Sequence, residues 1–191
     1  MGNGEKRDLD KAANIIRDAD GRVVGRTRLQ KMAFLLELAG LGEGFEFEYR
    51  HYGPYSEQLA NAISTAAMVG LISEEERATN WGGSYSIFTA TSRSAGNVPA
   101  ARMDLIRQAG SADPVALELA ATAAFLALEG ESDPWGETAR RKPEKASRLD
   151  EAKALYVRLQ AVPTPRSLPS IPQRGFRTVT ATVARANYSV L

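Results

Sequence analysis

Few groups in this chain could do covalent or metal chemistry. His51 is the single histidine and cysteine is absent, which excludes a multi-histidine metal site, a thiolate site and a Cys nucleophile. His51 with Ser56 would make an acyl-transfer pair, but no Gly-x-Ser-x-Gly elbow occurs and Ser56 stands where a helix needs a cap. Gly2-x-Gly4 precedes no strand and Gly82-Gly83 suits a hairpin turn, so neither a dinucleotide fingerprint nor a P-loop is present. Glu46 and Glu48 on one strand face, and Glu74 to Glu76 together, are of the type used for acid–base or cation chemistry. Solvated edge-strand faces are the preferred reading, since nothing apolar nearby would perturb their pKa values. No cofactor, metal ligand or catalytic residue is expected.

Binding chemistry is better represented. Arg22, Arg26, Arg28 and Lys31, with Arg50 and His51 near them in space and Tyr52 and Tyr55 as hydroxyl donors, form the best candidate patch for a partner or a nucleic acid. The alternative is a solvated helix face whose arginines pair with Asp18, Asp20 or Glu37. Lys and Arg total 24 against 23 Asp and Glu. The positive excess lies at the C-terminal end, where residues 161–191 carry Arg166 and the candidate tail contacts Arg174, Arg177 and Arg185 without one carboxylate.

The elements that must position these groups follow from periodicity and punctuation. At 191 residues, with 43% hydrophobic and 25% charged, the chain is sized and composed as one globular domain, or one with a small extension. Apolar residues at i, i+3, i+4 spacing predict a helix over 9–19, a second from Thr27 as N-cap to Gly40, and a third from Ser56 to Gly70. Phe45 to Tyr49 alternates as a strand before a Gly53-Pro54 turn, and 71–89 reads as a β-hairpin turning at Trp81-Gly82-Gly83. Helices follow near 100–109, after Asp113-Pro114 and after Asp133-Pro134, with a last one over 147–160 and Glu144 in i, i+4 register with Arg148. The fold class is therefore mainly α with a small β-hairpin (α+β). Residues 1–8 are a flexible N-terminus, 9–95 a winged helix-turn-helix-like region, 96–160 a helical region packed on it, and 161–191 a Pro-rich linker with a strand-prone basic tail able to add to a sheet edge.

The charged N-terminus carries no secretory or lipidation signal, and the apolar run Leu119 to Leu128 falls short of the roughly 20 residues that span a bilayer. With cysteine absent, a cytoplasmic setting without a membrane partner is expected. The third helix tests DNA binding: Glu57, Gln58, Asn61, Ser64 and Thr65 are joined by no basic residue, and the hairpin adds Glu74 to Glu76. Phosphate would be repelled there, which favours a protein partner.

Gly25-Arg26-Thr27-Arg28-Leu29-Gln30-Lys31, Phe45-x-Phe47-x-Tyr49, Tyr52-Gly53-Pro54-Tyr55-Ser56, Leu59 and Gly70-Leu71-Ile72, with Ala120 to Ala123 and Arg141-Lys142-Pro143, resemble the YwgA-like family of small prokaryotic proteins. The Leu-Gln-Lys helix and the Tyr-Gly-Pro turn also resemble, more distantly, the Panacea (SocA-like) antitoxin domain. The likeness spans roughly residues 9–160. It implies a winged-helix-like fold, no catalytic residues and, on the Panacea side, neutralisation of a toxin by direct protein binding. The expectation is thus a non-enzymatic, antitoxin-like regulatory or adaptor protein with a protein partner. A DNA-binding transcriptional regulator is the alternative, and an enzyme with an unrecognised site the residual one; a homodimer is compatible with either leading reading.

Overall fold

The computed structural model describes residues 3–80, 82–92 and 96–172. Its elements are α1 (Asn3–Asp18), β1 (Arg22–Val24), α2 (Arg26–Leu38), β2 (Glu48–Arg50), β3 (Gly53–Tyr55), α3 (Glu57–Met68), β4 (Ile72–Ala78), β5 (Ser84–Ala90), α4 (Ala100–Ser111), α5 (Pro114–Leu128), α6 (Pro134–Arg141), a 3-10 turn (Pro143–Arg148) and α7 (Leu149–Gln160). The chain is mixed α+β. An antiparallel sheet of order β1-β5-β4 and a separate β2-β3 hairpin accompany the helices, and no helix among the described residues is long and apolar enough to cross a membrane.

The core is organised by two helices apolar on nearly every side, a pattern that only a central position satisfies. In α2, Leu29 to Leu36 are buried without a break; in α5, Ala116, Ala120, Ala121, Ala123 and Ala124 are buried, small enough to let α2, α6, α7 and β3 approach. Asp113 starts α5 by accepting from the amides of Val115 and Ala116 (both 3.0 Å), with Pro114 at the first helical position. Asp133 caps α6 through the Gly136 amide (3.1 Å), and Ser56 caps α3 through the Leu59 amide (3.1 Å). The expected β4–β5 hairpin forms with Ile72 opposite Ala90 and Ala78 opposite Ser84.

Several expectations are corrected. Residues 3–8 are the first turns of α1, so the expected flexible stretch over 1–8 is helical wherever it is described. α2 starts at Arg26 behind Gly25, whose φ of +95° suits glycine; Thr27 lies inside the helix and caps nothing. The strand expected over 45–49 starts only at Glu48, because the amides of Glu43, Gly44 and Phe45 are taken by the Glu37 carboxylate (2.8, 2.8 and 3.0 Å). Gly53-Pro54 is no turn: it begins β3, with Tyr49 opposite Pro54 and His51-Tyr52 as the turn. Arg148 precedes α7 and pairs with Asp113 (3.0 Å) and Glu151 (2.7 Å), not Glu144. The segment 161–172, expected as a linker, lies against the core, with Leu168 and Ile171 buried. Trp81 and the tail residues Arg174, Arg177 and Arg185, with the expected tail strand, lie outside the described residues.

Candidate functional site

Two consecutive side chains of α2 fasten the segment after the β2–β3 turn. Gln30 exchanges a pair of hydrogen bonds with the Ser56 backbone: its Nε2 donates to Ser56 O (3.0 Å) and its Oε1 accepts from Ser56 N (2.8 Å). Lys31 Nζ donates to Pro54 O (2.7 Å). Pro54 carries no N–H and Gly53 has φ +83°, so this stretch holds few ladder bonds of its own, and side chains from the helix make up the difference. At Gly53 a Cβ would collide with Thr122 Oγ1 of α5, so glycine is required by conformation and by space together.

The charge of Lys31 is the unusual feature. The residue is 1% exposed, and its ammonium sits in a region holding Glu118 of α5 together with Lys142 and Lys145. Glu118 Oε1 accepts from Lys142 Nζ (2.7 Å) and Lys145 Nζ (2.8 Å), and Lys142 also donates to His51 O (2.8 Å). Burial pushes the Lys31 amine down from its ordinary 10.5 to about 7; Glu118 opposes that shift, and Lys142 and Lys145 add to it. Outside this cluster each nearby tyrosine lies under a cation: Tyr49 under Arg141 (4.6 Å), Tyr52 under Lys145 (5.3 Å) and Tyr55 under Arg50 (4.8 Å).

The structure assembles only part of the expected basic patch. Lys31 is interior, a correction that follows from its bond to Pro54 O. Arg28 turns its guanidinium onto the end of α4, donating to the carbonyls of Ala109 (3.2 Å), Gly110 (2.6 Å) and Ala112 (2.7 Å), groups that a helix end leaves unpaired. Burial lowers its pKa, with Asp113 opposing. Arg26 bonds Glu74 (2.6 Å) and Ser86 Oγ (3.0 Å), and Arg50 pairs with Glu48 and Glu57. Arg22, Arg26, Arg50, His51 and Tyr52 are exposed and Tyr55 is half-buried. The acid partners expected for the α2 arginines serve elsewhere: Asp18 pairs with Arg102 of α4 (2.7 Å) in the interior, and Glu37 holds the loop amides already described.

What the structure brings together instead is a cleft of about 400 Å³ between the start of α2, the outer side of α3 and the β3 end. Leu29, Ile63 and Phe88 supply its apolar wall, Ser64 and Glu74 polar edges, and Tyr52, 54% exposed, its rim with Tyr55. Arg26 and Lys31 also line it, so four of the expected contacts, Arg26, Lys31, Tyr52 and Tyr55, meet at this cleft, whereas its apolar wall was not expected. Glu118 was missed as well, though its signal is legible: a lone carboxylate inside an Ala- and Leu-rich helix demands a cation from elsewhere in the fold. The arrangement offers a concave, mostly apolar surface with hydroxyl groups at its edge and the Arg26 and Lys31 side chains in its lining. No protein-family model matches the chain, and no curated protein matches it.

Proposed function

We propose that this chain is a non-catalytic regulatory or adaptor protein that binds a protein partner through a winged-helix-like first half, in an antitoxin-like way. The order α1, β1, α2, β2, β3, α3, β4, β5 and the β1-β5-β4 sheet support the winged-helix-like reading, with α2 and α3 as the helix pair, the β2–β3 hairpin inserted between them and β4–β5 as the wing. The more distant resemblance of the Leu-Gln-Lys and Tyr-Gly-Pro segments to the Panacea (SocA-like) antitoxin domain supports the antitoxin-like part. One observation carries the class of partner, namely the character of the α3 face. Glu57, Gln58, Asn61 and Ser64 are exposed there, Glu75 and Glu76 lie on the wing, and the apolar-walled cleft opens beside them. The cations of this face are already paired, Arg50 with Glu57, Arg26 with Glu74 and Arg77 with Glu75, which leaves little positive charge for a phosphate backbone, whereas a polypeptide can seat an apolar side chain in the cleft and pack on Tyr52.

The test is affinity purification from the native host with the wild-type chain, Ser64→Arg and Tyr52→Ala. A stoichiometric protein retained by wild type and lost with either variant is the expected result. Titration of mixed genomic DNA fragments by fluorescence anisotropy at two salt concentrations is the counter-test. Binding that survives competitor DNA, with a log-log salt slope of about −0.9 per phosphate, would overturn the reading in favour of a regulator acting through Arg22 and Arg26.

A further inference from the structure

Beyond α7 the chain turns back as a strap. The Arg166 amide donates to Ala39 O at the end of α2 (3.0 Å), while the Tyr156 hydroxyl (2.8 Å) and Gln160 Nε2 (2.9 Å) of α7 both donate to Pro169 O. Leu168 is 6% exposed and Ile171 8%, whereas Ser167, Ser170 and Pro172 between and beside them are exposed. Leu168 and Ile171 are three residues apart, the spacing that puts two side chains on one edge of an extended, proline-rich segment with three residues per turn. Its seat is a built one: the Tyr156 ring is buried and meets Trp135 edge-on (6.0 Å, 81°).

The hydrogen bonds to the strap all involve its main chain, so any extended segment can make them. Selectivity falls on the two apolar side chains and the prolines that follow each, Pro169 and Pro172. If the strap left, the buried Tyr156 hydroxyl would lose its acceptor, a cost that a replacement peptide removes. We propose that this seat is a recognition groove for an extended, proline-rich segment of a partner protein, with an apolar residue before each of two prolines three positions apart, and that residues 163–172 are its tethered competitor. A tether of this kind holds its ligand at millimolar effective concentration. A second copy of the chain brings only the same contacts and does not outcompete it, whereas a partner with contacts elsewhere does. The cleft lies at the start of α2 and the groove near its end. This proposal goes beyond the partner class argued above and does not depend on the cleft.

The experiment uses the full chain carrying Leu168→Asp and Ile171→Asp, which frees the groove, and a fluorescein-labelled synthetic peptide of residues 163–172. Anisotropy is expected to show saturable binding to the variant, at least about tenfold weaker binding to wild type, and none for a peptide with both apolar residues changed to aspartate. Absence of binding by a variant with native circular dichroism, or equal binding by variant and wild type, would overturn the proposal. So would a concentration-dependent wild-type dimer in light scattering that the variant does not form, since the occupant would then be a second copy. Should the variant not fold, hydrogen exchange on the wild-type chain decides. The Arg166 amide is expected to exchange at least about a hundredfold faster than the amides of central α5, through a local opening; equal protection would mean that the strap is inseparable from the core and would overturn the proposal.

Discussion

Replacing Lys31 by methionine is expected to stabilise the protein at acidic and neutral pH and to abolish part of its pH dependence. The gap between 10.5 and about 7 corresponds to about 5 kcal/mol at about 1.4 kcal/mol per pH unit. Below pH 7 the folded and unfolded chains both carry the proton, and the fold bears that whole cost of keeping a charge in the interior. Between pH 7 and 10.5 the unfolded chain binds a proton the folded chain has released, so stability rises with pH by up to about 1.4 kcal/mol per unit. Methionine keeps an unbranched stem of similar reach in the same packing but leaves Pro54 O without its donor, at about 1–3 kcal/mol. The balance favours Lys31→Met by about 2–4 kcal/mol at pH 6, shrinking toward zero near pH 9 and changing sign above it. Urea unfolding of both proteins, followed by far-UV circular dichroism at pH 6, 7, 8 and 9, measures the difference, in which titrations common to the two chains cancel. Parallel stability curves across that range would refute the reasoning, because they would mean that Lys31 holds the same charge in both states throughout.

Substitutions centred on three further positions probe the contacts that α2, β3 and α5 make. Arg28→Ala removes the donor to three carbonyls at the end of α4 and should cost about 1–3 kcal/mol in chemical denaturation; Arg28→Lys should recover less than half, since an ammonium lacks the guanidinium fork. Gly53→Ala should cost about 2 kcal/mol or more from the positive φ and the collision with Thr122 Oγ1 together. Adding Thr122→Ala should return the collision part and leave the backbone part. Glu118→Gln leaves Lys142 and Lys145 without their shared carboxylate and should cost about 3–5 kcal/mol, read as a drop of at least about 6 °C in the thermal midpoint.

Elements whose signals are local were legible in the sequence. Asp113-Pro114, Asp133-Pro134 and Ser56 each specify a helix start within four residues, and the alternation from Ser84 to Ala90 specifies a strand without reference to its partner. What escaped depends on distant residues. Phe45 to Tyr49 alternates correctly, but Glu37 claims the first amide of that run. Lys31 stands in a basic run of arginines, and only Pro54 and the carboxylate of Glu118 reveal that it points inward. β1 is three residues long and exists because Val23 lies opposite Phe88. The prolines after Gln160 read as a linker; the period-three spacing of Leu168 and Ile171 was the available signal that the segment has one apolar edge.

The residues that carry the family resemblance are largely consumed by structure. Gln30, Lys31, Gly53, Pro54 and Ser56 join α2 to the β3 segment, and Lys142 joins that segment to α5 through Glu118 and His51 O. Each of these contacts is internal. Under the function proposed above, partner choice falls to side chains that these contacts leave outside: Ser64, Asn61 and the aromatic rim. Tyr52 belongs to both sets. Its ring is half in solvent at the mouth of the cleft, yet it covers Lys145, which shares the Glu118 carboxylate with Lys142.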